Sequence, residues 1–184
     1  MRVIGGTAGG QTLKGPPRSG ARPTSDRVRE AIFEILASHD VLMGSVLDLY
    51  SGTGAMGIEA LSRGAAHCDF VEADARACEL IRENLARTGL LDRARVYPLQ
   101  VAKALPRLRG PYDLVVADPP YEYDRAEMEL ADLIDRGLLA EDGILVVEHS
   151  KRRGWPAELA GREQLTVRRY GDTRVTLYSR RFMN

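Results

Sequence analysis

The sequence predicts an α/β fold: a mostly parallel sheet of seven strands, covered by helices on both faces and finished by an antiparallel hairpin. Three observations predict it. Short apolar runs alternate with amphipathic stretches of helical length between residues 46 and 148, the rhythm of a sheet built through crossover helices. A glycine turn, Ser51-Gly52-Thr53-Gly54, follows the first run and opens a helix, as in loops that cradle a nucleotide. The last third abandons that rhythm for two β-like stretches around Gly171-Asp172, which read as a hairpin.

In order, residues 1–15 place two β-like runs, Arg2-Val3-Ile4 and Gln11-Thr12-Leu13-Lys14, around the glycine-rich Gly5-Gly6-Thr7-Ala8-Gly9-Gly10. A β-hairpin is expected there. With little apolar surface of its own it is expected to project from the core, so that residues 1–20 form an arm and residues 21–184 the main domain. Thr24 or Ser25 is placed to cap a helix whose apolar positions Val28, Ile32, Ile35 and Leu36 recur at helical spacing. Strands are then expected at 46–50, 68–72, 95–97, 112–117 and 143–148. Helices are expected at 55–63, 75–87, 101–108 and 126–136; the second aligns Cys78, Ile81 and Leu85 on one face. The closing hairpin is expected at 164–170 and 173–178.

A chain of 184 residues, 44% hydrophobic, suits one domain with a substantial core. Its apolar runs at 114–117 and 144–147 are too short to span a bilayer, and the first residues carry no apolar signal-peptide core. No membrane association is expected, and the protein is expected in the cytoplasm. Cys68 and Cys78 lack metal-ligand spacing, so two buried or half-buried thiols and no metal are expected. Net charge is zero but segregated. Residues 1–29 carry Arg2, Lys14, Arg18, Arg22, Arg27 and Arg29 against Asp26, a net +5; residues 151–184 carry nine basic residues against Glu158, Glu163 and Asp172, a net +6; the middle holds −11. Two basic ends suit a face that meets phosphates.

Gly52-x-Gly54-x-x-Gly57, with Glu72 about 20 residues on, fits the dinucleotide fingerprint. Two further features change the expected ligand: Asp48, at the strand end before the glycines, and Asp118-Pro119-Pro120-Tyr121 after the fourth strand. An exocyclic amine of a nucleobase is a poor nucleophile, because its lone pair is delocalised into the ring. The Asp118 carboxylate and the Pro119 carbonyl can accept both of its N–H groups and restore electron density to nitrogen. The prolines stiffen the loop, and Tyr121 offers a face on which an extruded base can stack.

The pairing of Asp48-Leu49-Tyr50-Ser51-Gly52-Thr53-Gly54 with Asp118-Pro119-Pro120-Tyr121 resembles S-adenosylmethionine-dependent methyltransferases that modify nucleobase amines. Arg2-Val3-Ile4-Gly5-Gly6, Arg22-Pro23-Thr24-Ser25-Asp26-Arg27-Val28-Arg29-Glu30-Ala31-Ile32-Phe33 and Gly57-Ile58-Glu59-Ala60-Leu61-Ser62-Arg63-Gly64-Ala65 narrow the resemblance to the RsmD family, the 16S ribosomal RNA (guanine-966-N2)-methyltransferases. The resemblance runs from the first residues to at least Glu148. It implies a Rossmann-like class I fold and direct in-line transfer of a methyl group from S-adenosylmethionine, leaving S-adenosylhomocysteine. Asp118, Pro119, Pro120 and Tyr121 would carry the reaction. Asp48, Tyr50, Ser51, Gly52, Thr53, Gly54, Glu72, Ala73, Gln100 and Val101 would hold the cofactor, with Asp48 meeting its ammonium group and Glu72 its ribose.

Relatives place an Asp after strand three against adenine; here the stretch is Leu99-Gln100-Val101-Ala102, so Gln100 or backbone groups would read that ring. Arg2, Lys14, Arg18, Arg22 and Arg27 would contact RNA, in the small ribosomal subunit, with the chain acting as a monomer. The amine motif alone does not separate guanine N2 from adenine N6; that choice rests on the resemblance. An adenine-N6 methyltransferase and a non-catalytic RNA chaperone that binds S-adenosylmethionine remain the alternatives.

Overall fold

The computed structural model describes residues 1–15, 26–41, 43–152 and 154–180. Its elements are α1 (Asp26–Ser38), β1 (Ser45–Leu49), α2 (Ala55–Ser62), β2 (His67–Glu72), α3 (Ala75–Arg87), β3 (Ala94–Pro98), α4 (Val101–Ala104), β4 (Tyr112–Ala117), α5 (Ala126–Asp135), β5 (Leu139–Ser150), β6 (Glu158–Leu159), β7 (Arg162–Tyr170) and β8 (Thr173–Arg180). The expected alternation is present, with strand five starting earlier and the helix expected at 101–108 ending in a 3-10 turn. The sheet order is β3-β2-β1-β4-β5-β8-β7-β6. Strands β1 to β5 are parallel, and β8 lies antiparallel between β5 and β7. The two-residue β6, paired with the start of β7, adds an eighth strand to the seven expected; it is too short to carry a sequence period.

Both faces of the sheet are covered. On one, Ile32 of α1, Ile58 of α2 and Ile81 of α3 pack over Val46, Leu114, Val116 and Val146. On the other, Val101 of α4 and Leu130 and Leu133 of α5 pack over Leu47, Val115, Leu145 and Tyr178. Each buried side chain of this kind contributes about 1.5–3 kcal/mol. Helix α2 is buried along its whole length, and Gly57 permits this: a Cβ there would lie 2.4 Å from the Phe70 ring. Helix α3 is capped by Asp74, whose carboxylate accepts the Ala77 N–H at 2.8 Å. Thr24, Ser25 and the expected boundary at residue 20 lie outside the described residues.

The N-terminal expectation needs correction. Residues 1–15 form one isolated antiparallel bridge, Arg2 with Thr12, in place of a hairpin of strands. They do not project from the core: Val3, Ala8 and Leu13 are at most 3% exposed and belong to the α1–α2–α3 core. Glu59 of α2 accepts the Ile4 and Gly5 N–H groups, each at 2.8 Å, and Ser62 accepts the Ala8 N–H at 2.9 Å. Gly6 has φ +75 and lies so close to the Ser62 carbonyl that no side chain fits. Asn84 of α3 accepts the Lys14 N–H at 2.8 Å and donates to the Lys14 carbonyl at 3.1 Å. The segment satisfies its backbone on side chains of α2 and α3, which a local reading of its own composition misses.

Candidate active site

Strand order reverses between β1 and β4, so the C-terminal ends of these strands, paired at Leu49 and Ala117, open the crevice in which such sheets bind ligands. A recess there is lined by Asp48 and Asp118, with Glu148 of β5 as a third acid and Ile32, Met56 and Val146 as apolar wall. The two acids singled out by sequence, 70 residues apart in the chain, thus face one space.

Asp48 is 3% exposed. Its carboxylate accepts the Gly57 N–H at 2.9 Å. Burial pushes its pKa from 3.8 up to about 8, opposed by the Gly57 hydrogen bond and assisted by the charge of Glu72. Burial thus disfavours its ionised form, which makes it a candidate site residue.

The loop above it is fixed from below. The Ser51 hydroxyl donates to the Asp48 carbonyl at 2.6 Å, and the Ser51 N–H to the Val71 carbonyl at 3.1 Å. Gly52 (φ +54) donates its N–H to Glu72 at 2.9 Å, while the other Glu72 oxygen accepts the Asp74 N–H at 2.8 Å. Gly54 (φ +76) starts α2 and accepts the Ile58 N–H at 2.9 Å. Thr53 is half-buried, and its carbonyl accepts Asn84 Nδ2 at 3.1 Å. Tyr50 has φ 56, and its hydroxyl donates to Glu129 of α5 at 2.6 Å.

After β2, Ala73 is exposed. Gln100 is exposed before α4, and Val101 turns into the core at 4% exposure, so Val101 has only its backbone to offer a ligand. The tetrapeptide after β4 has Asp118 half-buried, Pro119 buried and Pro120 exposed. Tyr121 is 46% exposed and its hydroxyl shares a 2.8 Å hydrogen bond with Thr173 at the start of β8. Its ring therefore stands at the rim with its edge anchored.

The structure distributes the basic residues unevenly. Arg2 is exposed, Arg27 is exposed on α1, and Lys14 pairs with Glu83 at 2.7 Å; Arg18 and Arg22 lie outside the described residues. The Gly5–Gly10 turn sits against Ser62 and Arg63, at the end of α2 remote from the glycine loop. At the ligand end the β7–β8 turn brings Arg168, Arg169 and Arg174 close to Thr173 and hence to Tyr121.

Sequence reasoning missed Glu148, Glu129, Asn84 and Thr173 as parts of this region. Glu148 had a readable signal, an acid closing an apolar strand run as Asp48 does. Glu129 and Asn84 each interrupt the apolar stripe of an amphipathic helix, a position at which a polar residue needs a partner. Cys68 and Cys78 are buried and unbridged. His149 bonds Thr176 at 2.9 Å and packs on Trp155, a structural role.

The space over the loop fits the implied cofactor: a Cβ on Gly52 would meet no atom nearer than the Tyr50 carbonyl at 4.0 Å, and Asp48 and Glu72 supply acceptors for a cationic head and a ribose. A parallel sheet finished by an antiparallel β8, with a glycine loop over a buried acid and an Asp-Pro-Pro-Tyr loop beside it, defines a class I S-adenosylmethionine-dependent methyltransferase. The chain belongs to the family described as conserved hypothetical protein 95, whose profile matches residues 1–179.

Comparison with known proteins agrees. The chain is 34% identical to YlbH of Bacillus subtilis over 184 residues, covering 98% of this chain and all of that one. It is 34% identical to ribosomal RNA small subunit methyltransferase D of Escherichia coli over 180 residues, 98% of this chain and 90% of that one. The solved structure of yhhF from Escherichia coli superposes with a TM-score of 0.86 at 34% identity, covering 98% and 97% of the two chains.

Proposed function

We propose that this protein methylates the exocyclic N2 amine of one guanine, guanine 966 of 16S ribosomal RNA, in a small subunit that is at least partly assembled. The observation that carries the reading is the shared recess of Asp48 and Asp118. It sets an acid suited to a cationic cofactor against an acid suited to an amine. The similarity to ribosomal RNA small subunit methyltransferase D supports the choice of polymer; the choice of base rests on the resemblance of the sequence motifs to the RsmD family.

S-adenosylmethionine, when bound, supplies an activated methyl group. Asp48 receives the ammonium group of its amino-acid head, Glu72 the ribose hydroxyls, and the backbone from Tyr50 to Gly54 and at Ala73 forms the cradle. Gln100 and the Val101 backbone flank the adenine. Asp118 and the Pro119 carbonyl accept the two N–H groups of the target amine, so that its lone pair points along one line, and Asp118 takes up the released proton. Tyr121 stacks on the extruded base, a contact worth about 1–3 kcal/mol. Orientation and electrostatic placement supply most of the acceleration.

Selectivity comes from the shape of folded RNA, with the base flipped into the cleft. Arg168, Arg169 and Arg174 at the β7–β8 turn, with Arg2, Lys14, Arg18, Arg22 and Arg27, provide the phosphate contacts.

The test offers labelled S-adenosylmethionine to small-subunit particles lacking the modification, to their naked RNA and to DNA, with digestion to nucleosides. N2-methylguanosine at a single position, chiefly from particles, is the expected product. N6-methyladenine from any substrate would overturn the choice of base, and label absent from all three would overturn the catalytic reading.

A further inference from the structure

Helix α5 carries a buried carboxylate that no step above uses. Glu129 is 4% exposed and lies on the inward stripe of the helix beside Leu130 and Leu133. Each of its oxygens accepts one phenol: Oε2 from Tyr50 at 2.6 Å and Oε1 from Tyr123 at 2.7 Å. The two rings meet edge to face, 6.0 Å between centroids and 65° between planes.

The two phenols belong to the two halves of the recess. Tyr50 is the hinge between β1 and the glycine loop, and its φ of 56 is a costly conformation for a residue with a side chain. Such conformations persist where the surroundings over-determine them, and the Glu129 anchor does so here. Tyr123 closes the turn that follows the amine-binding loop, its N–H donating to the Pro120 carbonyl at 2.8 Å. Burial first, then Glu129, pushes the Tyr50 hydroxyl upward; the Glu129 hydrogen bond is the leading cause for Tyr123. Both phenols stay protonated at physiological pH, so the connection is not opened by titration there.

We infer that Glu129 is a positioning residue, a clamp that sets the separation of the glycine loop from the Asp118–Tyr121 loop while touching neither ligand. This rests on the methyltransferase reading above. In-line reaction between two separately held partners is sensitive to misplacement by about 1 Å, which costs up to about 100-fold. A single carboxylate tied to both loops fixes that distance more directly than the sheet beneath them, because each loop extends beyond its strand.

The test compares Glu129→Leu, Glu129→Gln, Tyr50→Phe, Tyr123→Phe and the Tyr50→Phe/Tyr123→Phe pair on small-subunit particles. Glu129→Leu is expected to lower kcat about 10–100-fold, with cofactor affinity by calorimetry and KM for the particle each within about threefold of wild type. Glu129→Gln, which keeps one acceptor and can donate to the other hydroxyl, is expected to recover most of the loss. The double Phe variant should lose no more than Glu129→Leu, because residues acting as one unit are not additive. A kcat that falls only with the folded fraction, or a loss expressed in cofactor affinity, would overturn the clamp.

A second readout needs no RNA. S-adenosylhomocysteine, bound at the glycine loop, is expected to slow hydrogen exchange across residues 118–123 in wild type and to leave it unchanged in Glu129→Leu. Equal protection in both would overturn the clamp. Absence of methyl transfer by wild type on every substrate, with this protection intact and dependent on Glu129, would sink the substrate reading and leave the clamp standing.

Discussion

Helix α2 involves two buried carboxylates, its own Glu59 and Asp48 of β1, and the two are treated in opposite ways. Glu59 is fully buried, and protein groups surround it: the N–H groups of Ile4 and Gly5, Arg63 Nε at 2.7 Å and Arg29 Nε at 3.6 Å. Asp48 is almost as buried, but Gly57 supplies its hydrogen bond and its pKa is pushed up to about 8. A carboxylate whose valences are filled by its own chain is structural, and it ties residues 1–15 into the core. A carboxylate desolvated and left short of positive charge is a candidate for a ligand that carries one.

The largest effect that could break this contrast is on stability. Glu59→Ala removes the fully buried partner of Arg29, leaving it Asp26 at 3.0 Å, and strands the Ile4 and Gly5 N–H donors; it is expected to cost about 3–5 kcal/mol. Glu59→Gln, which keeps acceptors for part of the set, should cost less and fold. In both, cofactor affinity of the folded protein, measured by calorimetry, should stay near wild type; a fall beyond about threefold would mean that Glu59 takes part in binding.

Asp48→Asn should show the inverse pattern. Removing the charge proposed to pair with the ammonium group is expected to weaken S-adenosylmethionine binding about 10–100-fold, read by calorimetry. Stability in the absence of cofactor should rise. The folded-state pKa of Asp48 lies above its unfolded value, so the unfolded chain releases this proton first and the contribution of Asp48 to wild-type stability falls as pH rises from about 4 to about 8. Melting of Asp48→Asn across that range should follow a flatter pH dependence. An unchanged slope would show that Asp48 ionises normally in the folded state.

The smallest expected effects concern the charged surface. Neutralising Arg168 and Arg169, at the ligand end, should reduce the salt dependence of single-stranded RNA binding by about 0.7 in log–log slope for each phosphate that no longer meets a cation. Lys14→Ala should change it less, because Lys14 already pairs with Glu83. Equal slopes in all variants would place the RNA on another face.

What was legible in the sequence follows the same division. Strands β1, β2, β4 and β5 and the glycine loop were readable because a two-sided sheet imposes continuous apolar runs, and a nucleotide-cradling turn imposes glycine at Gly52 and Gly54. Asp48 and Asp118 stood out because one is the acid inside the first run, just before the glycine turn, and the other directly follows the fourth. The docking of residues 1–15 was not. Their buried side chains, Val3, Ala8 and Leu13, match neither a strand nor a helix period, and their anchors on α2 and α3 lie 54 to 70 residues away. The Glu129 clamp was hidden for a related reason: its partners come from two other loops, and only the polar interruption of an apolar helical stripe announced it.

The central claim is that Asp48 serves the cofactor and Asp118 the amine within one recess, and the most direct test is Asp118→Ala measured two ways on the same preparation. Methyl transfer to small-subunit particles is expected to fall at least about 10²–10³-fold, while calorimetry with S-adenosylmethionine gives an affinity near wild type. Loss of cofactor binding in parallel with activity would contradict the division of labour between the two acids, and retained transfer would remove Asp118 from the reaction.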